Sequence, residues 1–335
     1  MAASSRTGVT RKIWFLALAI VLAILLYTGG WLYAASELKQ KTLALLGSQE
    51  ANGITVECPD AEYRGYPFRI GLFCSKVAID DRNNGISATL GALRSAAQVY
   101  DPGHILWEMD SPAEVRTSHG LTISITWDSL QSSLVTNGRG VERSSTVIEG
   151  GGTGIVSAAQ GRAFKLDSER SEIHLRQNGD DLDVAVSLLN ARGRAEGLPE
   201  LLPAVTAVID ATLVGRAGMI DGSDSNGLAL YGTEGEMRRF SADLGEGRVV
   251  SVTGPFSIDG EGYISGRLKL KVEEIDAWRN SLAEAFPEAA SALQTGAGML
   301  SALNGGNQSA VIDLTIQRGK VLAGGLIPIG EIPRL

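Results

Sequence analysis

The sequence predicts a mostly β protein of the α+β class with a few helices. We expect an N-terminal transmembrane helix, then a curved, largely antiparallel β-sheet domain with a covering helix near residues 273–290. Three observations predict this arrangement. An uncharged apolar run extends from Ile13 to Tyr33, period-two alternation dominates after Gly53, and the chain has 41 glycines in 335 residues. Glycine therefore exceeds its usual share of roughly 7%, and the excess falls between short alternating segments, as tight β connections require.

The apolar run at residues 13–33 is long enough to cross a bilayer, because about 20 helical residues span a hydrocarbon core of roughly 30 Å. Arg11 and Lys12 precede it, which predicts that residues 1–12 stay in the cytoplasm. The alternative is a cleaved signal peptide. Its small-x-small site would be Tyr33-Ala34-Ala35, where Tyr33 is too large for the first position. The pattern favours a retained anchor.

The sequence predicts a stalk helix and a linker at residues 34–52. Apolar residues keep helical spacing from Ser36 to Gly47, and a glycine at that point is suited to a helix C-cap.

The outer domain is predicted to be antiparallel. Its apolar and polar residues alternate in segments such as FRIGLF, LTISITW, DLDVAVSL and YISGRLKLKV, and the connections between them are short. Parallel strands would need crossovers of a dozen or more residues. A polar loop at residues 218–227 divides this domain into an N-terminal part, 53–217, and a C-terminal part, 228–335.

Helical spacing is clearest late in the chain, where Ile275, Trp278, Leu282 and Phe286 fall on one face. We expect Pro287 to divide this helix near Phe286, because proline removes a backbone donor and clashes with the preceding turn. Two shorter helices are predicted, at about Trp127 to Leu134 and at Glu234 to Phe240.

Cys58 and Cys74 lie in apolar runs separated by a segment rich in turn-forming residues. In an exported domain such a pair is expected to form a disulfide. Two buried free thiols are the alternative, and a redox role lacks the C-x-x-C spacing.

Composition argues against several functions. The formal net charge is −8, which disfavours nucleic acid as a partner. The histidines, His104, His119 and His174, are few for a zinc or copper site, so we expect no metal and no cofactor.

Sequence motifs predict no catalytic residues. No G-x-S-x-G segment occurs, although a Ser-His-Asp arrangement built from distant positions stays open. The run from Asp224 to Gly227 is similar to part of a calcium loop, but Gly222 and Thr233 occupy two ligand positions. A polar turn is therefore the simpler interpretation, and we expect a protein that is not an enzyme.

Two regions carry a family resemblance. The first is Cys58 to Cys74 with its internal Gly65-Tyr66-Pro67-Phe68-Arg69, and the second is the closing IDLTIQRGKVLAGGLIPIGEIPRL, preceded by GPFSIDGEGYISGRLKLKV. Together they resemble domain of unknown function 2125, a family of bacterial envelope proteins, and more distantly the AsmA-like group, which is implicated in moving lipids across the envelope. The resemblance implies location and architecture. It carries over no catalytic residues.

Two main hypotheses follow for a single-pass protein of the bacterial inner membrane with a periplasmic domain. In the first, the sheet binds lipid or another apolar molecule in a groove bordered by Ile275, Trp278, Leu282 and Phe286. In the second, the sheet is a scaffolding module for other envelope proteins, bound at its exterior or at an edge strand. A cryptic hydrolase is a third alternative.

Overall fold

The computed structural model describes residues 6–51, 53–83, 85–118, 120–137, 140–157, 162–195, 203–221, 223–224, 230–285, 287, 290–303 and 307–335. Within these ranges the chain forms an N-terminal helix and an open, curved, antiparallel sheet of 20 strands, with three further helices. The predicted fold class is confirmed.

The N-terminal helix α1 extends from Arg6 to Ala51 without interruption. Its stretch Thr10–Gln40 has a mean hydropathy of 2.3 and no buried part, so it is long and apolar enough to span a membrane. The predicted stalk is the outer end of the same helix, and the helix continues through Gly47 instead of ending there. Outward-facing apolar side chains along α1 are what a lipid-facing helix requires.

The first ten strands are short segments that pair only with antiparallel neighbours. They are β1 (Ile54–Glu57), β2 (Glu62–Arg64), β3 (Arg69–Cys74), β4 (Val77–Asp81), β5 (Ile86–Leu90), β6 (Leu93–Gln98), β7 (Asp101–Met109), β8 (Ala113–Thr117), β9 (Leu121–Thr126) and β10 (Ser129–Asn137).

These ten segments are halves of five long, bent strands. One set of halves pairs in the order β2, β3, β6, β7, β10, and the other in the order β1, β4, β5, β8, β9. Both sets join the long strand β11 (Gly140–Ser157), β10 along its first half and β9 along its second. The bends at residues 58–61, 75–76, 91–92, 110–112 and 127–128 therefore lie side by side, and we call them the bend line.

Buried side chains mark the bend line. Trp127 donates from Nε1 to the carbonyl oxygen of Met109 at 2.9 Å, and Cys74, Val77 and Ala113 are buried beside it. The bend line thus provides a small core where the sheet changes direction.

Beyond β11 the sheet is a simple meander in which each strand pairs with the next along the chain. Its strands are β12 (Arg162–Asn178), β13 (Asp181–Ala195), β14 (Val205–Leu213), β15 (Thr233–Asp243), β16 (Val249–Ile258), β17 (Ile264–Val272), β18 (Ala310–Gln317), β19 (Lys320–Ala323) and β20 (Ile327–Glu331). Strands β14 and β15 are direct neighbours across the loop at 218–227, so the division at this loop stays a prediction.

The two short helices predicted inside the domain are wrong, since residues 129–137 form β10 and residues 233–243 form β15. A bulge in β15 explains one error, because it places Met237 and Phe240 on the same face three residues apart, a spacing that a helix also produces. At the other site the bend between Trp127 and β10 breaks the alternation. In both places pairing with two neighbouring strands satisfies the backbone, which decides the structure over local spacing.

Three helices accompany the sheet: α2 (Gly218–Asp221), α3 (Ile275–Ala285) and α4 (Ala290–Leu303). The predicted division near Phe286 is confirmed, because α3 ends at Ala285 and α4 begins at Ala290. The α3–α4 hairpin lies between β17 and β18 in the chain. It packs on the sheet where Ile275 and Ala297 meet Ala310 and Val272.

Candidate functional site

One face of the sheet carries an unbroken apolar row across seven neighbouring strands. Cross-strand register brings one side chain from each strand into line, so the row runs perpendicular to the strands. We call it the long row. Its members, from β12 to β18, are Ile173, Val186, Ile209, Phe240, Val252, Leu270 and Ile312.

The long row is incompletely covered. Six of its members are half-buried, and Ile173 keeps 38% of its surface exposed. In a closed core, Ile, Val, Leu and Phe are the residues most often fully buried. The long row therefore has a partly accessible apolar surface in the part of the chain that the structure describes.

A second apolar row runs parallel to the long row on the same face and reaches α1. Its members, from β3 to β15, are Ile70, Ala97, Ile105, Leu134, Ser144, Leu175, Val184, Ala211 and Met237. Only Ser144 interrupts it. Ile70 also lines an apolar cavity of about 430 Å³ between the sheet and α1, together with Val99, Pro102 and Trp31. The second row thus connects α1 to the middle of the sheet, and we call it the anchor row.

The opposite face of the same strands is polar. Asp183 is central to it, because its carboxylate accepts hydrogen bonds from Arg176 at 2.7 Å, Arg238 at 2.8 Å and Thr212 at 2.9 Å. Arg238 also donates to Asp210 from Nε at 2.9 Å. These charges are satisfied by one another, so the face opposite the apolar rows carries an ion-paired cluster.

The pKa of the Asp183 carboxyl is strongly lowered. Burial by itself raises the pKa of this carboxyl, but hydrogen bonds from Arg176, Arg238 and Thr212 outweigh that effect and hold its pKa at about 2. Asp183 is therefore ionised under all ordinary conditions. The Arg238 side chain forms ion pairs with Asp183 and Asp210 within the sheet.

Each end of the apolar face is closed differently. At one end, Leu213 of β14, Thr233 of β15 and Ile258 of β16 are buried. At the other end the α3–α4 hairpin covers Val272 and Ala310. The accessible part of the apolar face lies between these two ends.

Three of the four predicted groove residues, Ile275, Trp278 and Leu282, lie on α3. Ile275 is buried in the cluster with Ala297 and Ala310, while Trp278 and Leu282 are half-buried on α3. The Trp278 Nε1 atom is enclosed and finds no hydrogen-bond acceptor among the described residues. Phe286 lies outside the described residues. Whether Trp278 and Leu282 border a groove stays a prediction.

Sequence reasoning missed the strand residues of the apolar face. The signal was present as alternation, but alternation does not say which residues of different strands meet. That requires the register. The long row and the anchor row therefore become visible only in the folded sheet.

Cys58 and Cys74 are joined by a disulfide, with their Cα atoms 5.6 Å apart. The bond crosses the bend line and links the outermost bent strand to its neighbour. Beside it the backbone N–H of Ser75 donates to Asp60 Oδ1 at 3.0 Å, and this hydrogen bond lowers the pKa of the Asp60 carboxyl.

The polar residues considered for catalysis or metal binding have structural contacts. His104 Nε2 and Ser133 Oγ are 2.8 Å apart on an exposed face, and no carboxylate is hydrogen-bonded to His104 within the described ranges. His174 contacts Glu172 at 3.2 Å, and His119 lies outside the described residues. Asp224, from the calcium-like run, forms a buried ion pair with Arg216 at 3.0 Å.

Comparison with known proteins identifies one family. The family described as "Uncharacterized protein conserved in bacteria (DUF2125)" matches residues 31–333, which is most of the chain. No curated protein and no solved structure matches, so the likeness to the AsmA-like group is not confirmed. The match includes the Gly65 to Arg69 segment, the cysteine pair and the closing strands. The chain belongs to the DUF2125 family of bacterial proteins.

Proposed function

We propose that this protein is a membrane-anchored envelope protein that holds lipid acyl chains, or a comparably long apolar ligand, on the apolar face of its sheet. One observation carries the proposal. Seven strands contribute an uninterrupted apolar row whose members stay partly accessible, while the opposite face carries the ion-paired cluster around Asp183.

The dimensions of the long row suit an extended apolar chain. Neighbouring strands lie about 4.8 Å apart, so seven strands give a path of about 29 Å, comparable to the thickness of a bilayer's hydrocarbon core. The row has no polar interruption. An acyl chain laid along it would cover the accessible parts of Ile173 and Ile209.

The anchor row gives such a ligand a route from the membrane. It begins at Ile70, which faces the cavity beside Trp31 and the outer half of α1. From there it continues strand by strand to Met237 on the central sheet. A lipid leaving the bilayer along α1 would meet apolar side chains almost throughout.

The proposed location of the protein rests on the charges that precede the apolar span and on the chemistry of the two cysteines. Arg11 and Lys12 favour a cytoplasmic N-terminus, which places the sheet on the opposite side of the membrane. A disulfide between Cys58 and Cys74 is suited to that oxidising compartment. For a bacterial protein this is the periplasm, with the anchor in the inner membrane. The proposed role requires no catalysis and no cofactor.

Two adjacent residues of β14 provide a matched test. Ile209 belongs to the long row, whereas Val208 faces the other way, in register with Ser187 and Ser241. The full chain is purified from native membranes as Ile209→Gln and as Val208→Gln, and the lipids that co-purify are quantified by mass spectrometry. Lipid around α1 is the same in both variants, so their difference reports the sheet.

We expect Ile209→Gln to lower lipid retention about tenfold, because an unpaired amide against apolar chains costs on the order of 1–3 kcal/mol. Val208→Gln should retain the wild-type amount. Equal retention by the two variants, or wild-type protein without bound lipid beyond that around α1, would contradict the proposal.

The C-terminal edge of the sheet supports a second candidate function, protein interaction. Strand β20 pairs with β19 on one side, and all five of its residues are exposed, including Ile327 and Ile329. An exposed apolar edge is a template for strand addition by another protein. Pro328 removes one donor from this edge. If Ile329→Lys abolished a stable envelope complex while Ile209→Gln changed nothing, the interaction role would replace lipid binding.

A further inference from the structure

Four exposed apolar or aromatic side chains gather at one corner of the sheet. Tyr66 and Phe68 lie in the turn between β2 and β3, and Val99 and Tyr100 form the turn between β6 and β7. The two turns are joined by a hydrogen bond from the Val99 N–H to the Phe68 carbonyl oxygen at 3.0 Å. We call these four residues the collar. Phe68 is 69% exposed and Tyr100 is 78% exposed.

The collar is attached to the anchor helix. The Tyr66 ring packs edge-on against Trp31 with centroids 5.6 Å apart, and its hydroxyl lies 2.8 Å from Thr28 Oγ1. The Tyr27 hydroxyl donates to the carbonyl oxygen of Pro67. Three residues of α1 therefore hold the turn at Tyr66 to Phe68.

These contacts set the depth of the collar. Lys12 marks one boundary of the apolar span, and Tyr27 follows it by about 22 Å of helix. The hydrocarbon core is roughly 30 Å thick, so Tyr27 and Thr28 lie inside its far boundary. Any tilt of α1 shortens the rise along the membrane normal and places the contacts deeper still. Side chains that touch Tyr27 and Thr28 must lie at the same level.

We propose that the collar is inserted into the membrane interface at the C-terminal end of the span, with Phe68 and Tyr100 in direct contact with lipid. The partner is the phospholipid bilayer that contains α1. Aromatic rings are favoured at this level, and the exposed guanidinium of neighbouring Arg69 is suited to lipid phosphates. The inference rests on the proposed anchoring by α1, but it does not depend on lipid binding by the sheet.

Membrane contact also explains why the Tyr66 to Arg69 turn is apolar on its outer side. Large exposed apolar clusters mark sites that contact another apolar phase. The collar is continuous with the lipid-facing surface of α1, which identifies that phase as the bilayer. The collar thereby holds the sheet domain against the membrane. Ile70, the first residue of the anchor row, then lies next to the bilayer.

Cysteine labelling of the full chain in phosphatidylcholine nanodiscs tests the proposal. Cys58 and Cys74 are bonded to each other, so an introduced cysteine supplies the reactive thiol. The variants are Phe68→Cys and Tyr100→Cys, and the control is Leu326→Cys, whose side chain is 85% exposed far from the anchor in sequence. Both sides of a nanodisc are open to a charged maleimide, so orientation has no influence on the result.

We expect positions 68 and 100 to react at least about tenfold more slowly than position 326, because the reacting thiolate is disfavoured in an apolar phase. All three variants should label fully in denaturing detergent, which shows that each thiol is intact. A far-UV circular dichroism spectrum equal to that of the wild type shows that each variant is folded. Equal rates at the three positions in folded protein would overturn the proposal. Such a result would leave the Ile209→Gln comparison unaffected, so the two proposals fail separately.

Discussion

The indole Nε1 of Trp31 donates a hydrogen bond to the carbonyl oxygen of Arg69 at 2.9 Å. Trp31 lies near the C-terminal end of the apolar run at residues 13–33, and Arg69 ends the Gly-Tyr-Pro-Phe-Arg segment and begins β3. The apolar helix α1 and the sheet are therefore joined by a specific contact, and the Gly65 to Arg69 segment has a structural role as the place where α1 meets the sheet.

Replacing Trp31 by phenylalanine should weaken the contact between α1 and the turn before β3. Trp31→Phe keeps an aromatic ring beside Tyr66 but removes the hydrogen bond to Arg69, whose own N–H bonds to the Gly65 carbonyl oxygen at 2.9 Å. A net loss of roughly 1 kcal/mol should make the Arg69 amide exchange with deuterium about fivefold faster. Trp14→Phe, at the other end of the span, is the control. Unchanged exchange in Trp31→Phe would show that the contact does not hold the turn.

Removing the disulfide should weaken the outer strands. Cys58 and Cys74 close a loop with a sequence separation of 16, and such a bond contributes on the order of 3 kcal/mol by the chain-entropy model. Chemical denaturation of the double variant Cys58→Ser, Cys74→Ser should show that loss, and reductant should shift the wild type alone. Complete labelling of both thiols in denatured, unreduced wild-type protein would contradict the bond.

Acid should destabilise the polar face through Asp183. The folded pKa of about 2 lies below the unfolded value of 3.8, and the side chain is only 8% exposed. The ionised form is therefore favoured by folding. It contributes about 2 kcal/mol above about pH 5, and this contribution is lost as the pH falls through 4 towards 2.

Urea denaturation between pH 6 and pH 2 checks the role of Asp183. Asp183→Asn should be less stable at pH 6 and should have a flatter acid limb than the wild type. Asp180→Asn, at an exposed position on the adjacent turn, should reproduce the wild-type curve. An unchanged acid limb in Asp183→Asn would assign the acid sensitivity to other carboxyls.

Two variants in the α3–α4 hairpin distinguish core packing from groove lining. Ile275→Ala should cost about 2–4 kcal/mol of stability, because Ile275 is buried against Ala297 and Ala310. Trp278→Ala should cost less than the roughly 3–5 kcal/mol expected in a closed core and should lower lipid retention. Glu284→Ala on the exposed side is the control. If Trp278→Ala only melts earlier and keeps its lipid, Trp278 belongs to the core.

Local sequence patterns predicted the elements whose structure is locally determined. The apolar run from Ile13 to Tyr33 satisfies its backbone within one helix, so length and composition were enough to predict α1. Alternation between short turns predicted antiparallel strands, and Pro287 predicted the division between α3 and α4. The position of the two cysteines in neighbouring apolar runs of an expected exported domain predicted the pair that the structure joins.

Tertiary structure decided what depends on strand register. The spacing of Met237 and Phe240 in the sequence predicts one face of a helix. In the structure both residues lie on β15, with a bulge against β14 between them. Hydrogen bonding to two neighbouring strands outweighs the local spacing.

By itself the sequence determined that this protein has a long apolar N-terminal helix and alternating strands with one apolar side. Only the folded sheet determined that Ile173, Ile209 and Ile312 lie on one line, and that Tyr66 meets Trp31. These relationships join residues far apart in the chain, and they are set by cross-strand pairing, whose energy is absent from any single segment.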